Sequence, residues 1–196
     1  MTNGLDTQLT NPVHVTDNSD YSVTFSVTGL SRNRFIVSYI FNSYNKDPGK
    51  NNIGCSFLKV NDNHDQLKVE SVSDLGNAAP DGYIKSVLLS SDTAIIAYSD
   101  ANFQYGIRAT FVSISSSPSG IESIKYGSSF GFTNGYTLSE TVYGNFMDFD
   151  ITVFDIYENY KSLLVFYPDA RNGGRFSISA AKVTLPLPSL NIPIPL

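Results

Sequence analysis

Two loops in the sequence carry polar side chains directly after an apolar run that ends in Tyr. The first loop contains Asp100, Asn102 and Tyr105, and the second contains Asp169 and Asn172. Aromatic rings stack on the apolar faces of sugars, while carboxylate and amide groups hydrogen bond to sugar hydroxyls. The two loops are therefore predicted to form equivalent ligand-binding sites of a glycan-binding type. Packing in a β-core is the competing interpretation for the aromatic residues.

A second pattern, Gly-Ser-Ser-Phe-Gly at residues 127–131, matches the G-x-S-x-G sequence of a hydrolase nucleophile elbow. That elbow needs a strand before Ser129 and a helix after it, so that the hydroxyl is held in a strained turn. The residues that follow include Asn134-Gly135, which cannot begin a helix, and the only histidines, His14 and His64, precede the serine. We therefore interpret the match as a coincidence and predict no catalytic residue.

Other catalytic and metal chemistry finds little support in the sequence. Asp148 and Asp150 are close enough to suggest paired-carboxylate glycoside cleavage, but a solvated strand edge explains them more simply. Two histidines and one cysteine cannot complete a zinc site within the chain. The polar run after residue 60 lacks the Gly and Glu that a calcium loop requires. We predict no metal and no cofactor.

The charge balance argues against a nucleic-acid partner. The chain has 13 Lys and Arg against 18 Asp and Glu, a formal net charge of −5, and its basic residues are scattered rather than clustered. No run approaches the roughly 18 apolar residues that a membrane-spanning helix needs, so we predict no membrane insertion. The first residues also lack the basic and apolar regions of a secretory signal.

The composition favours strands over helices. The chain contains 12 Tyr and 13 Phe but no Trp, and only 16% of its residues are charged, a balance that suits half-buried strands. No window places apolar residues at i, i+3, i+4 and i+7, the spacing of an amphipathic helix. We expect an all-β protein with almost no helix.

Three segments repeat one order of elements: an apolar strand ending in Tyr, a polar turn, a Gly and a second strand. The strands are 34–39, 93–98 and 162–167, and the glycines that follow them are Gly54, Gly106 and Gly174. Self-similarity at roughly 60 residues is typical of repeated all-β units. We therefore predict one continuous array of such units rather than separate domains.

The array is predicted to have flanking segments at both ends. We divide the chain into an N-terminal arm at 1–20, a repeat domain at 21–184 with units at about 21–76, 77–136 and 137–184, and a Pro-rich tail at 185–196. The third unit shows no obvious fourth strand. Proline cannot donate ladder hydrogen bonds, so the tail is expected to run extended, either as a linker or docked on a neighbouring sheet or another protein.

The first strand shows the clearest alternation in the chain. Tyr21, Val23, Phe25 and Val27 alternate with Ser and Thr, which predicts a strand with its apolar side buried. The single cysteine, Cys55, cannot form a disulfide within the chain and is expected to be a small buried hydrophobe.

One repeat is similar to a known family. The run Ala94–Asp100, followed by Asn102, Gly106 and Phe111–Ile114, resembles the "VAYSD…N…G" blade repeat of β-propellers found in phage-like, environmental and cell-surface repeat proteins. The third repeat, around Tyr167, is similar. The first departs from the pattern, because Ile and Phe follow its Tyr and its loop to Gly is longer.

The resemblance implies about three four-stranded antiparallel units of a β-propeller. Complete rings have about 4–8 blades, so three units would need a partner chain, as in a six-bladed dimer, or further sequence. A β-sandwich built from the same strands is the structural alternative.

The expected function is that of a non-catalytic module for adhesion or structural assembly on a surface, virion or filament, with protein partners or self-association. A lectin-like glycan-binding protein is the alternative, and a glycoside or ester hydrolase is a more distant one. The resemblance also implies an extracellular, surface or virion-associated location.

Overall fold

The chain forms β-strands throughout the part that the structure describes. The computed structural model describes residues 12–16, 20–31, 33–43, 51–63, 66–76, 80–100, 106–131, 149–157, 160–169 and 177–186. These residues form eleven strands and no helix, which confirms the all-β prediction. The described part of the chain accordingly includes no helix long and apolar enough to cross a membrane.

The strands form three antiparallel sheets in which strand order follows chain order. The first sheet contains β1 (Asp20–Ser31), β2 (Arg34–Ser43), β3 (Asn51–Val60) and β4 (Leu67–Leu75). The central sheet contains β5 (Pro80–Ser90), β6 (Thr93–Asp100), β7 (Gly106–Ser116) and β8 (Glu122–Gly131). The third sheet contains β9 (Asp150–Tyr157), β10 (Tyr160–Asp169) and β11 (Ser177–Pro186). Its described part therefore has three strands, and β11 includes the first two residues assigned above to the tail.

The three recurring tyrosines occupy the same position in their sheets. Tyr39, Tyr98 and Tyr167 lie in β2, β6 and β10, the second strand of each sheet, and all three are buried. We call the sheet surface that bears this residue the tyrosine face and the other surface the opposite face. Gly54 and Gly106 are not equivalent, because Gly54 pairs with Tyr39 whereas Gly106 pairs with Asp100, and Gly174 lies outside the described residues. The tyrosine, rather than its spacing to glycine, marks equivalent positions.

The first hydrophobic core lies between the opposite face of the first sheet and the tyrosine face of the central sheet. Ile36 and Phe57 of the first sheet are fully buried in one cluster with Ile96 of the central sheet. Burying each such side chain contributes about 1.5–3 kcal/mol. At the edge of this core, the Tyr126 hydroxyl donates a 2.7 Å hydrogen bond to the Ser73 carbonyl and so ties β8 to β4.

The second core repeats this arrangement one sheet further along. Ile95 and Ala97 on the opposite face of the central sheet are fully buried in a cluster with Leu163 and Val165 on the tyrosine face of the third sheet. All eight residues of β6 are buried, because both faces of the central sheet are covered. The tyrosine face of the central sheet meets the first sheet, and that of the third meets the central one. The stack therefore has a direction.

The strand β1 corrects one prediction from the sequence. Residues 24–28 alternate as predicted, but Phe25 and Val27 are 69% and 54% exposed, so the prediction of a buried apolar side is wrong at these positions. The polar side faces the central sheet instead. Thr28 Oγ1 donates to Ser86 Oγ at 2.5 Å, and Ser26 Oγ accepts from the Ser86 backbone N–H at 2.9 Å. These bonds pair the hydroxyls of Ser26 and Thr28 and hold β1 against β5.

A cluster of four charged side chains joins the first and central sheets at one end. Arg34 of β2 contacts Asp92 and, at 2.7 Å, Glu122, which also contacts Lys59 of β3. Burial alone would raise the pKa of Asp92, but hydrogen bonds from Ser91 and Arg34 and the positive charge of Arg34 together lower it. Arg34 and Glu122 are mostly buried, with side chains 16% and 13% exposed, so this contact fixes how the two sheets meet.

Cys55 confirms the expectation of a buried cysteine. It lies on the opposite face of the first sheet and is fully buried. This burial raises the pKa of Cys55 to about 12, against a smaller lowering effect of the neighbouring Tyr126 hydroxyl. The unfolded thiol ionises near pH 8.5. Folding raises the pKa of Cys55, so its neutral thiol favours the folded state. This contribution to the free energy of unfolding is complete below about pH 8.5 and is lost as the pH rises toward 12.

We expect the Cys55 thiol of the folded protein to resist a chromogenic thiol reagent at about pH 8 and to react quickly once denaturant unfolds the chain. Only the thiolate attacks the reagent, and burial removes both the thiolate and access to it. The chain has one cysteine, so the signal reports this site alone. Cys55→Ala supplies the blank. Rapid reaction of the folded protein would show that the first core opens readily.

Candidate functional site

The structure places the predicted ligand residue Asp100 in an internal ion pair. Its side chain is only 1% exposed at the end of β6, and its Oδ2 lies 3.3 Å from Arg108 Nη1 in the neighbouring strand β7. A sugar hydroxyl would have to compete with this guanidinium for the carboxylate. Asp100 is therefore placed to hold the end of its hairpin, and ligand binding through it stays a prediction.

The other predicted residues are only partly covered by the structure. Asp169 is the last residue of β10 and pairs with Ser177, as Asp100 is the last residue of β6 and pairs with Gly106. The two aspartates are thus equivalent in backbone position. Asn102, Tyr105 and Asn172 lie outside the described residues. The two loops as equivalent glycan-binding sites therefore stay a prediction.

The Gly-Ser-Ser-Phe-Gly run forms a β-bulge inside a strand. Thr110 pairs with Ser129 and Val112 pairs with Tyr126, so β8 holds one more residue than β7 over this stretch. Thr110 Oγ1 donates a 3.1 Å hydrogen bond to the carbonyl of Gly127 at the bulge. Extra residues of this kind bend a strand locally. Ser129 therefore lies in continuous β8 rather than in the strand-to-helix turn of a nucleophile elbow.

The tyrosine face of the first sheet carries a cluster of exposed apolar side chains. Phe25 and Val27 of β1 are 69% and 54% exposed, and Val72 of β4 lies on the same face and is 49% exposed. Single exposed hydrophobic residues are ordinary, but several on one sheet face form a patch of the kind that binds a partner. No sheet among the described residues precedes this face in the stack.

A short N-terminal segment lies along part of this face. Residues 12–16 run beside the sheet, and Ser56 Oγ of β3 donates a hydrogen bond to the Val15 carbonyl. Between the segment and β1 is a cavity of about 460 Å³ lined mainly by Val13, Phe25, Val27 and other apolar side chains. The segment therefore covers one side of the face and leaves an apolar groove on the other.

Tyr39 forms the floor of this groove. It is 2% exposed, and its ring lies against Gly54, where a Cβ would come within 2.5 Å of ring carbon Cε2. The ring also contacts Phe41, with centroids 5.8 Å apart. Gly54 thus provides the space that allows the aromatic ring to lie down on the sheet.

The opposite face of the third sheet is the other end of the stack. Phe166 of β10 is 40% exposed there, and Leu164 beside it is half-buried. Phe154 of β9 shares this face, and its ring lies under the Lys182 ammonium at 5.7 Å. No sheet among the described residues covers these side chains. Both ends of the stack therefore present apolar groups.

The two end faces expose apolar side chains, a feature that suits contact with another apolar surface. In the described ranges, no three His, Cys, Asp or Glu side chains are arranged to hold a metal ion. Sequence reasoning missed the end faces because it assigned the apolar side of β1 to the core. The available signal was the repeat itself: if each tyrosine face meets the preceding sheet, the first tyrosine face meets no sheet among the described residues.

Comparison with known proteins identifies no relative of this chain. Neither the family models, the curated proteins nor the solved structures include a match.

Proposed function

We propose that the chain is a non-catalytic building block of a larger protein assembly, of the kind found on a surface, virion or filament. The observation that carries this proposal is the pair of uncovered end faces, with Phe25, Val27 and Val72 exposed at one end and Phe166 at the other. Each end face continues a stack that already buries two extensive sheet-to-sheet cores. A chain built this way gains further buried apolar area by adding sheets at its ends.

We also infer that the stack is propeller-like. The first strands of successive sheets lie beside one another, β1 next to β5 and β5 next to β9, as they do around the axis of a propeller. The central and third sheets also turn their tyrosine faces toward the sheet before them. A two-sheet β-sandwich, the alternative, leaves one face of each sheet toward solvent, and the doubly covered β6 does not follow that pattern.

The non-catalytic part of this proposal predicts that the purified protein turns over chromogenic esters and glycosides no faster than two matched variants. Ser129→Ala removes the hydroxyl of the elbow-like run, and Asp150→Asn removes an exposed carboxylate at the start of β9. Wild-type turnover that disappears in either variant would identify a catalytic group and overturn the proposal. Equal, background rates in all three proteins are the expected result.

A further inference from the structure

We infer that a second copy of this chain docks head to tail, with the opposite face of its third sheet on the tyrosine face of the first sheet. The inference rests on the proposed function, because it specifies the partner of the same end faces. It joins the apolar side chains that remain exposed or half-buried on the two end faces, Phe25, Val27 and Val72 at one end and Leu164 and Phe166 at the other.

The direction of the stack identifies the partner surface. A tyrosine face meets an opposite face at both internal interfaces: Ile96 and its neighbours meet the first sheet, and Leu163 and its neighbours meet the central sheet. The exposed part of this tyrosine face therefore calls for an opposite face, and the described residues leave one such face without a covering sheet, at the other end of the stack. One copy thus carries both halves of a third interface of the same type.

A second copy must supply the contact because the two faces point away from each other across the stack. The central sheet separates them, with both of its surfaces buried. Stacked sheets lie about 10 Å apart, so the two outer faces of a single chain are separated by at least about 20 Å. A contact between different patches of two copies is heterologous, and it either closes into a ring or continues as a filament.

The groove beside residues 12–16 leaves room for this contact. The segment is held at the β3 side through Ser56 and Val15, whereas Phe25 and Val27 of β1 project from the far wall of the groove. In both internal interfaces the strand corresponding to β1 lies beside its counterpart in the neighbouring sheet, as β1 lies beside β5. We therefore expect β9 of the second copy to lie along β1.

The test uses one charge on each face of the full-length protein. Val27→Asp blocks the tyrosine face of the first sheet, and Phe166→Asp blocks the opposite face of the third; both side chains are at least 40% exposed, so the substitutions are compatible with folding. Ile121→Asp, at a 68% exposed position in the turn before β8, is the matched control. Mass is measured by light scattering over a range of concentrations, and circular dichroism checks that each variant is folded.

We expect the wild type and Ile121→Asp to associate, and each face variant to weaken association by at least about tenfold. An equimolar mixture of Val27→Asp and Phe166→Asp should regain a dimer, because each copy contributes the face that the other has lost. A contact between two identical faces predicts a different result. The variant whose substitution lies on the other face would associate normally alone, and mixing would not restore association of the variant with the blocked face. That result, or a monomeric wild type at all concentrations, would overturn the inference.

A deletion variant tests whether the Pro-rich tail occupies the groove instead of a second copy. Deletion of residues 187–196 should leave association unchanged, and loss of the dimer on deletion would contradict sheet-on-sheet docking. Failure of this inference can be told apart from failure of the non-catalytic proposal, since a monomer without hydrolytic turnover would reject self-association and leave the non-catalytic proposal standing.

Discussion

We expect Ile95→Ala and Ile96→Ala each to lower the free energy of unfolding by about 2–5 kcal/mol, although the two residues are neighbours in β6. Their side chains point to opposite faces of the central sheet and are fully buried in different cores. Ile95→Ala leaves a cavity against the third sheet, and Ile96→Ala leaves one against the first. Domains are stable by only about 5–15 kcal/mol in total, so either loss is a large fraction.

The measurement is urea unfolding followed by circular dichroism. Because the central sheet contributes to both cores, each variant should lower the midpoint of one shared transition. Ile95→Val and Ile96→Val should cost about 0.5–1.5 kcal/mol, and Phe25→Ala, at a 69% exposed position, less than about 0.5 kcal/mol. Two separate transitions, of which each Ala variant shifts only one, would show that the sheets unfold independently.

The strands were predictable from the sequence because local signals define them. The segment 94–98 is an uninterrupted apolar run, and the structure shows why: β6 is covered on both sides, as such runs in sheets generally are. Turn signals between the runs placed most strand ends within a few residues. These signals act over about two to ten residues and do not depend on how the sheets pack against one another.

The faces were not predictable from alternation alone. Phe25 and Val27 alternate with Ser and Thr as in a half-buried strand, yet the structure turns Ser26 and Thr28 inward, where Ser86 satisfies their hydroxyls. Alternation indicates that the two sides of a strand differ in polarity. Which side is covered depends on the neighbouring sheet, a tertiary contact some 60 residues away in the chain.

The candidate site shows the same division between local and tertiary information. Asp100 and Asp169 lie at the ends of β6 and β10, two residues after the repeated Tyr, and the shared role predicted for them stays a prediction. The ion pair of the buried Asp100 side chain depends on Arg108 in the next strand, and no sequence motif predicts this contact. The uncovered end faces likewise emerge only when the direction of stacking is known.

The second prediction with a large effect concerns the fit of Tyr39 over Gly54. Gly54→Ala should lower the free energy of unfolding by about 1–3 kcal/mol, because the new Cβ would lie 2.5 Å from the Tyr39 ring and displace it toward the groove. Gly29→Ala is the matched control. A Cβ at that position in β1 meets only ordinary contacts at 3.8 Å, so relief of backbone entropy should stabilise the protein by about 0.5–1 kcal/mol.

A double-mutant cycle separates the steric effect at Gly54 from backbone effects. In a Tyr39→Ala background the obstructing ring is gone. The effect of Gly54→Ala on the free energy of unfolding should therefore change sign, so that the substitution stabilises the protein by about 0.5–1 kcal/mol, as expected for Ala over Gly within a strand. Urea unfolding of the four proteins measures the coupling directly. If Gly54→Ala costs the same with and without the Tyr39 ring, the ring does not lie on the glycine. The Tyr39 ring would then not form the floor of the groove as described above.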